Sequence, residues 1–212
     1  MVIEKGPQSI AQKPSTIYAV GDSLTWGYPY GPEASWTTSV EGAFYIPVAN
    51  LGLNGATTED MRRILISHLP DLEPRSWVII TGGANDAYGM ISPRKVIQNY
   101  RDMIERIEVA RCVPIIGLTT AISEEPARTR VIEYRALLLD FLKGRKEEGA
   151  GSLRTIDFFK PLLAADGCSL APQYAADDCH PNRHGYEKMG EVAVHMIGTY
   201  LEEIRITDHN RS

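Results

Sequence analysis

Hydrophobic positions along the chain fall into short unbroken runs and longer stretches with helical spacing. The runs TIYAV (16–20), YIPVANL (45–51), SWVIIT (76–81), VPIIGLT (113–119) and LRTIDFF (153–159) predict five strands. They are continuous rather than alternating, as expected for strands covered on both faces. Pro47 argues that the second strand lies at a sheet edge, because proline donates no ladder hydrogen bond.

The intervening segments read as helices. Thr57 is a capping residue with Asp60 at the capping-box position, and Met61, Ile64, Leu65 and Leu69 share one face before Pro70 ends the pattern. Ser92 and Pro93 form a cap followed by proline at the first helical position, and Val96, Ile97, Tyr100, Met103, Ile104 and Ile107 make the apolar stripe. A further pattern covers 127–146. The clearest one follows Pro181, with Tyr186, Met189, Ala193, Met196, Ile197, Tyr200, Leu201 and Ile204 at helical spacing. Strand and helix in alternation predict an α/β fold, a parallel sheet between helices. A single domain is expected over 1–212, with 1–15 an N-terminal extension and 206–212 a polar tail. In such sheets functional groups gather at the carboxyl ends of the strands. Ser23, Gly55 and Asn85 each fall just past a predicted strand end.

Composition narrows the partners. The chain has 212 residues, 43% hydrophobic and 23% charged, which suits one soluble domain with a sizeable core. A net charge of −5 argues against nucleic acid, whose phosphates call for a basic surface. The three cysteines, Cys112, Cys168 and Cys179, are odd in number and lack C-x-x-C spacing, so neither a disulfide framework nor a zinc knuckle is indicated. A pairing of Cys168 with Cys179 is left open. The first residues lack a signal-peptide apolar core, and no run is long enough to span a bilayer. A cytoplasmic protein with free thiols is expected.

The candidate chemistry centres on Ser23. A serine hydroxyl becomes a nucleophile only with a base, a group orienting that base, and donors for the developing oxyanion. Of the five histidines, His68, His195 and His209 fall on predicted helices or in the polar tail. His180 differs: it sits in DDCHPNRHGY ahead of the last helix, three residues after Asp177. A carboxylate at that spacing on a loop can hold the ring Nδ1–H while Nε2 faces the serine. Gly55, in NLGLNGATT, can present a backbone N–H at a strand-to-helix turn. Asn85, in TGGANDAYG, can present a side-chain amide, and the Ser23 N–H is a third donor.

Four segments in this order, GDSL with Ser23, NLGLNG with Gly55, GGAND with Asn85 and DDCHP with Asp177 and His180, resemble the four blocks of the SGNH hydrolases, the GDSL lipase and esterase family. The resemblance runs from about residue 17 to the last helix. It implies a flavodoxin-like, three-layer α/β/α sandwich with a parallel sheet of about five strands. It also implies a catalytic Ser23, Asp177 and His180 and an oxyanion hole from Ser23 N–H, Gly55 N–H and the Asn85 side chain. Of the two glycines in NLGLNG the family pattern favours Gly55, while Gly52 suits strand geometry. The implied activity is that of a serine esterase acting on small-molecule carboxylic esters with small or short acyl groups, through a Ser23 acyl-enzyme. An acyltransferase using the same triad and a non-catalytic carbohydrate- or acyl-binding module are the alternatives. No cofactor is implied.

The same residues allow other readings. Asp22 adjoins Ser23 and is expected to hold the turn through local hydrogen bonds rather than serve as the acid. Asp157, at the end of the fifth strand, is the runner-up acid, and Asp178 is read as solvated. His180 and His184, four apart, imitate a metal-ligand spacing, but no third histidine cluster supports a metal. Cys179 is expected to be a small buried or partly exposed residue rather than a nucleophile. Trp26, Tyr28, Tyr30 and Trp36 either narrow the pocket or pack the first helix against the sheet.

Overall fold

The computed structural model describes residues 13–148 and 152–209. Most of the expected N-terminal extension therefore lies outside the described residues. In chain order the main elements are β1 (Ile17–Gly21), α1 (Ser23–Trp26), α2 (Trp36–Phe44), β2 (Val48–Gly52), α3 (Thr58–His68), β3 (Trp77–Thr81), α4 (Ala84–Tyr88), α5 (Pro93–Val109), β4 (Val113–Leu118), α6 (Ala127–Glu147), β5 (Arg154–Asp157) and α7 (Arg183–His209).

The five strands form one parallel sheet in the order β2-β1-β3-β4-β5. In register, Gly21 at the end of β1 stands beside Gly52 of β2 and Thr81 of β3. The segments that follow these three strands therefore leave the sheet side by side. On one face α2 and α7 pack on each other, α2 against β2 and α7 against β5. On the other, α5 packs between α3 and α6, with α3 against β1 and α5 against β4. The result is the three-layer α/β/α sandwich.

Burial follows the layers. Every residue of the central β3 is buried, while β2 is half-buried throughout, as befits an edge. Pro47 just precedes β2, which begins at Val48 rather than at residue 45. Tyr45 instead closes α2 in a left-handed conformation, at φ 51°. Gly27 ends α1 after one turn, and α2 follows as a separate helix. The fifth strand is shorter than its apolar run, because Phe158 and Phe159 leave the sheet to pack in the core.

Helix ends follow the chemistry of their residues. The Thr57 and Asp60 side chains form the reciprocal capping box of α3. Ser92 caps α5 ahead of Pro93. α7 opens at Arg183 rather than at Pro181, because the Asn182 side chain accepts the Gly185 N–H at 2.9 Å and takes the cap. The helix continues to His209, into the stretch expected to be a polar tail. Among the described residues no helix is long and apolar enough to cross a membrane.

Candidate active site

Ser23 is the first residue of α1, directly past the end of β1. Asp22 caps this short helix, its Oδ1 accepting the Leu24 N–H at 3.0 Å. That local bond is the one expected of it. The carboxyl is fully buried, and Oδ2 has no hydrogen-bond partner among the described residues. Burial, with the Asp86 carboxylate adding to it, pushes the Asp22 carboxyl up to about 7.

Ser23 Oγ lies 3.0 Å from His180 Nε2. His180 Nδ1 lies 2.9 Å from Asp177 Oδ2 and 3.1 Å from Oδ1. The carboxylate is held in turn by its own loop, Oδ1 accepting the N–H of His180 at 2.7 Å and of Cys179 at 2.8 Å. Burial raises the Asp177 carboxyl, but those two N–H bonds and the imidazole outweigh it, so it sits below the usual carboxylate range. An ionised acceptor faces Nδ1, and this selects the tautomer that leaves Nε2 free to accept the Ser23 proton.

The other acids lie elsewhere. Asp157 forms a two-bond pair with the Arg135 guanidinium, at 2.9 and 2.7 Å, and accepts the Phe159 N–H. Asp178 is exposed, and its carbonyl accepts the Ser123 N–H. His184 is inside α7 with its ring edge-on to Tyr174. The Cys179 thiol is buried and pushed up to about 12, chiefly by desolvation, which keeps it protonated and unreactive. All three cysteines are free.

The two glycines of NLGLNG separate cleanly. A Cβ on Gly52 would stand 2.4 Å from the Trp26 nitrogen, so this position lets α1 lie against β2. Gly55 is exposed at φ +80°, with open space around it. Asn85, second residue of α4, donates from Nδ2 to the Ala56 carbonyl at 2.9 Å, which ties its amide to the Gly55 turn. The next residue, Asp86, is buried and accepts the Thr58 N–H and hydroxyl at 2.8 and 2.7 Å. Thr58 Oγ1 also accepts from Asn99. This network binds α4 to the start of α3, and so fixes Asn85 relative to Gly55.

Two tyrosines also meet these residues, Tyr28 among the four aromatics expected near the pocket and Tyr186 unexpected there. The Tyr186 hydroxyl, counted only in an apolar stripe, donates to the carbonyls of Tyr28 and Ser23, at 2.7 and 3.4 Å. The Tyr28 ring lies 4.6 Å from the His180 ring. Helical periodicity marks a buried face but says nothing of where a phenol hydroxyl ends, so Tyr186 carried no signal.

The GDSL-like lipase/acylhydrolase family matches residues 19–188. Thioesterase 1/protease 1/lysophospholipase L1 of Escherichia coli is 25% identical over 173 residues, covering 79% of this chain and 76% of its own. A solved structure assigned to the lipolytic G-D-S-L family, from Desulfitobacterium hafniense, is 26% identical with a TM-score of 0.72, covering 86% of this chain and 99% of its own. Another from that family, from Veillonella parvula, has a TM-score of 0.74 at 23% identity, covering 85% and 96%. With its fold and more than half its length matched, the chain belongs to the GDSL-like lipase/acylhydrolase family.

Proposed function

We propose that this protein is a serine esterase that hydrolyses small carboxylic esters with short acyl groups through a Ser23 acyl-enzyme. The observation that carries the reading is the continuous chain of contacts from Asp177 through His180 to Ser23 Oγ, at 2.9 and 3.0 Å. In the first half-reaction Ser23 Oγ bonds to the ester carbonyl carbon while His180 Nε2 takes its proton. The carbonyl oxygen gains the negative charge, and the N–H groups of Ser23 and Gly55 and the Asn85 amide donate to it. Each such donor lowers the barrier by about 3 kcal/mol. The carbon–oxygen bond to the leaving alcohol then breaks, and His180 gives that oxygen the proton. Water, deprotonated by the same imidazole, releases the acid and restores Ser23. Asp177 holds the imidazole tautomer and stabilises the imidazolium.

The preference for short acyl groups rests on the likeness of GDSLTWGY and GPEASW to small esterases. A panel of p-nitrophenyl esters from acetate to palmitate tests it, with kcat/KM expected to be highest on acetate or butyrate; a maximum at palmitate overturns it. Side-by-side kinetics test the acid. Asp177→Asn is expected to lower kcat by as much as about 10⁴-fold. Asp157→Asn, which breaks the Arg135 pair, is expected to reduce stability and leave turnover close to wild type. The reverse pattern would reassign the acid.

A further inference from the structure

The sequence places four aromatic residues shortly after Ser23, and they have different surroundings. Trp36 is fully buried against Phe158, in the core. Tyr30 lies under the Arg183 guanidinium, 4.6 Å from it. Trp26 ends α1 and is half-buried. Tyr28 lies on the triad, its ring centroid 4.6 Å from that of His180 and inclined by 55°.

The Tyr28 backbone is held at both ends. Its N–H donates to the Ser23 carbonyl at 3.0 Å, and its own carbonyl accepts the Tyr186 hydroxyl at 2.7 Å. The ring is thereby fixed to the turn that carries Ser23. Yet Tyr28 remains 40% exposed. A ring anchored this firmly, packed on the imidazole and still open to solvent, is a preformed apolar surface beside the reacting atoms.

Its location decides which part of an ester meets it. Gly55 and Asn85 follow β2 and β3, whereas Tyr28 follows α1 and packs on the imidazole. The imidazole Nε2 is the atom that hands a proton to the departing oxygen. A ring on that imidazole borders the leaving group rather than the carbonyl oxygen. We infer that Tyr28 is a specificity residue for the leaving group, receiving a flat apolar ring on its exposed surface, and that esters of aromatic alcohols are the favoured substrate class. This rests on the esterase reading above and adds no new bond-making step to it.

The test compares phenyl acetate with ethyl acetate, which share an acyl group, on the wild-type protein, Tyr28→Leu and Tyr28→Phe. The quantity read is the ratio of kcat/KM between the two esters. The greater intrinsic reactivity of the phenyl ester is common to all three proteins, and a displaced His180 penalises ethoxide, the poorer leaving group, more than phenoxide and so raises the ratio, opposite in sign to the expected fall. Tyr28→Leu is expected to lower the phenyl-to-ethyl ratio by about threefold to tenfold, the effect of one aromatic pair. Tyr28→Phe, which keeps the ring, is expected to retain the wild-type ratio. An unchanged ratio in Tyr28→Leu, whether or not both activities fall, overturns the inference, as does a Tyr28→Phe protein that loses the ratio as fully as Tyr28→Leu. Wild-type protein inactive on both esters overturns the esterase reading itself, a result distinct from an active protein with an unmoved ratio.

Discussion

At the scale of single residues, the carboxyl of Asp22, next to Ser23, sits in unusual surroundings. It is fully buried, uses one oxygen to cap α1, and leaves the other without a partner among the described residues. An ionised carboxylate in that position loses its hydration and gains one N–H bond, which is why its titration rises from 3.8 to about 7. The consequence for stability has a definite sign. Between those two values the folded protein holds a proton that the unfolded chain has released, so stability falls as pH rises from about 4 to about 7. A rise of about three units at about 1.36 kcal/mol each sets a ceiling near 4 kcal/mol for the loss. Asp22→Asn keeps an oxygen for the Leu24 N–H and cannot ionise. It is expected to be more stable than the wild type at pH 8, with the difference shrinking toward pH 4. Urea unfolding of both proteins at the two pH values checks this; a variant less stable than wild type at pH 8 would mean that the charged carboxylate is favoured in the fold.

At the scale of elements, the site depends on how closely α1 lies against the sheet. Gly52 ends β2 beneath α1, with the Trp26 nitrogen and the Asp22 carbonyl oxygen 2.4 and 2.9 Å from where a Cβ would stand. Both are backbone atoms, so they move only if the turn carrying Ser23 moves. Gly55 presents the opposite case: space is free, and the obstacle is its φ of +80°. The left-handed conformation costs a non-glycine residue about 1–2 kcal/mol. Gly52→Ala is therefore expected to destabilise by more than Gly55→Ala, which should lower the thermal midpoint by only about 2–8 °C. Calorimetry on the two variants decides it, and equal midpoints would show that α1 shifts freely away from β2. The same close packing explains why α1 and α4 escaped the sequence reading as helices. Each is a single turn, too short for an apolar stripe, and each is set by a cap or a glycine at a strand end rather than by periodicity.

Over the whole molecule, the legible parts are those in which a residue's neighbours in sequence determine its place. Central strands appear as unbroken apolar runs because both sheet faces are covered, and α3, α5, α6 and α7 appear through their stripes and caps. Ser23, Gly55 and Asn85 were locatable because each follows a strand that ends at the same sheet edge, and Asp177 and His180 because three residues separate them on one loop. Tyr186 was not, since its role comes from contacts across 158 and 163 residues of chain that no local pattern encodes, and for Tyr28 the sequence left open whether the ring narrows the pocket or packs the first helix. Those same long-range contacts bear on how the protein unfolds. The loop with His180 is tied outward by the Ser123 N–H, which donates to the Asp178 carbonyl, and braced within itself by Ala176 N–H to the His180 carbonyl and Asn182 N–H to the Tyr174 carbonyl. Tyr186, on the helix that follows, reaches back to the turn that carries Ser23. A loop joined in this way to the segments after β1 and β4 has no low-cost route to open alone, so the site and the sheet are expected to be lost in one step. Residual esterase activity and far-UV circular dichroism, measured on the same urea series, should trace superimposable curves. Activity that disappears at clearly lower urea than the helical signal would show that the loop carrying Asp177 and His180 detaches before the sandwich unfolds.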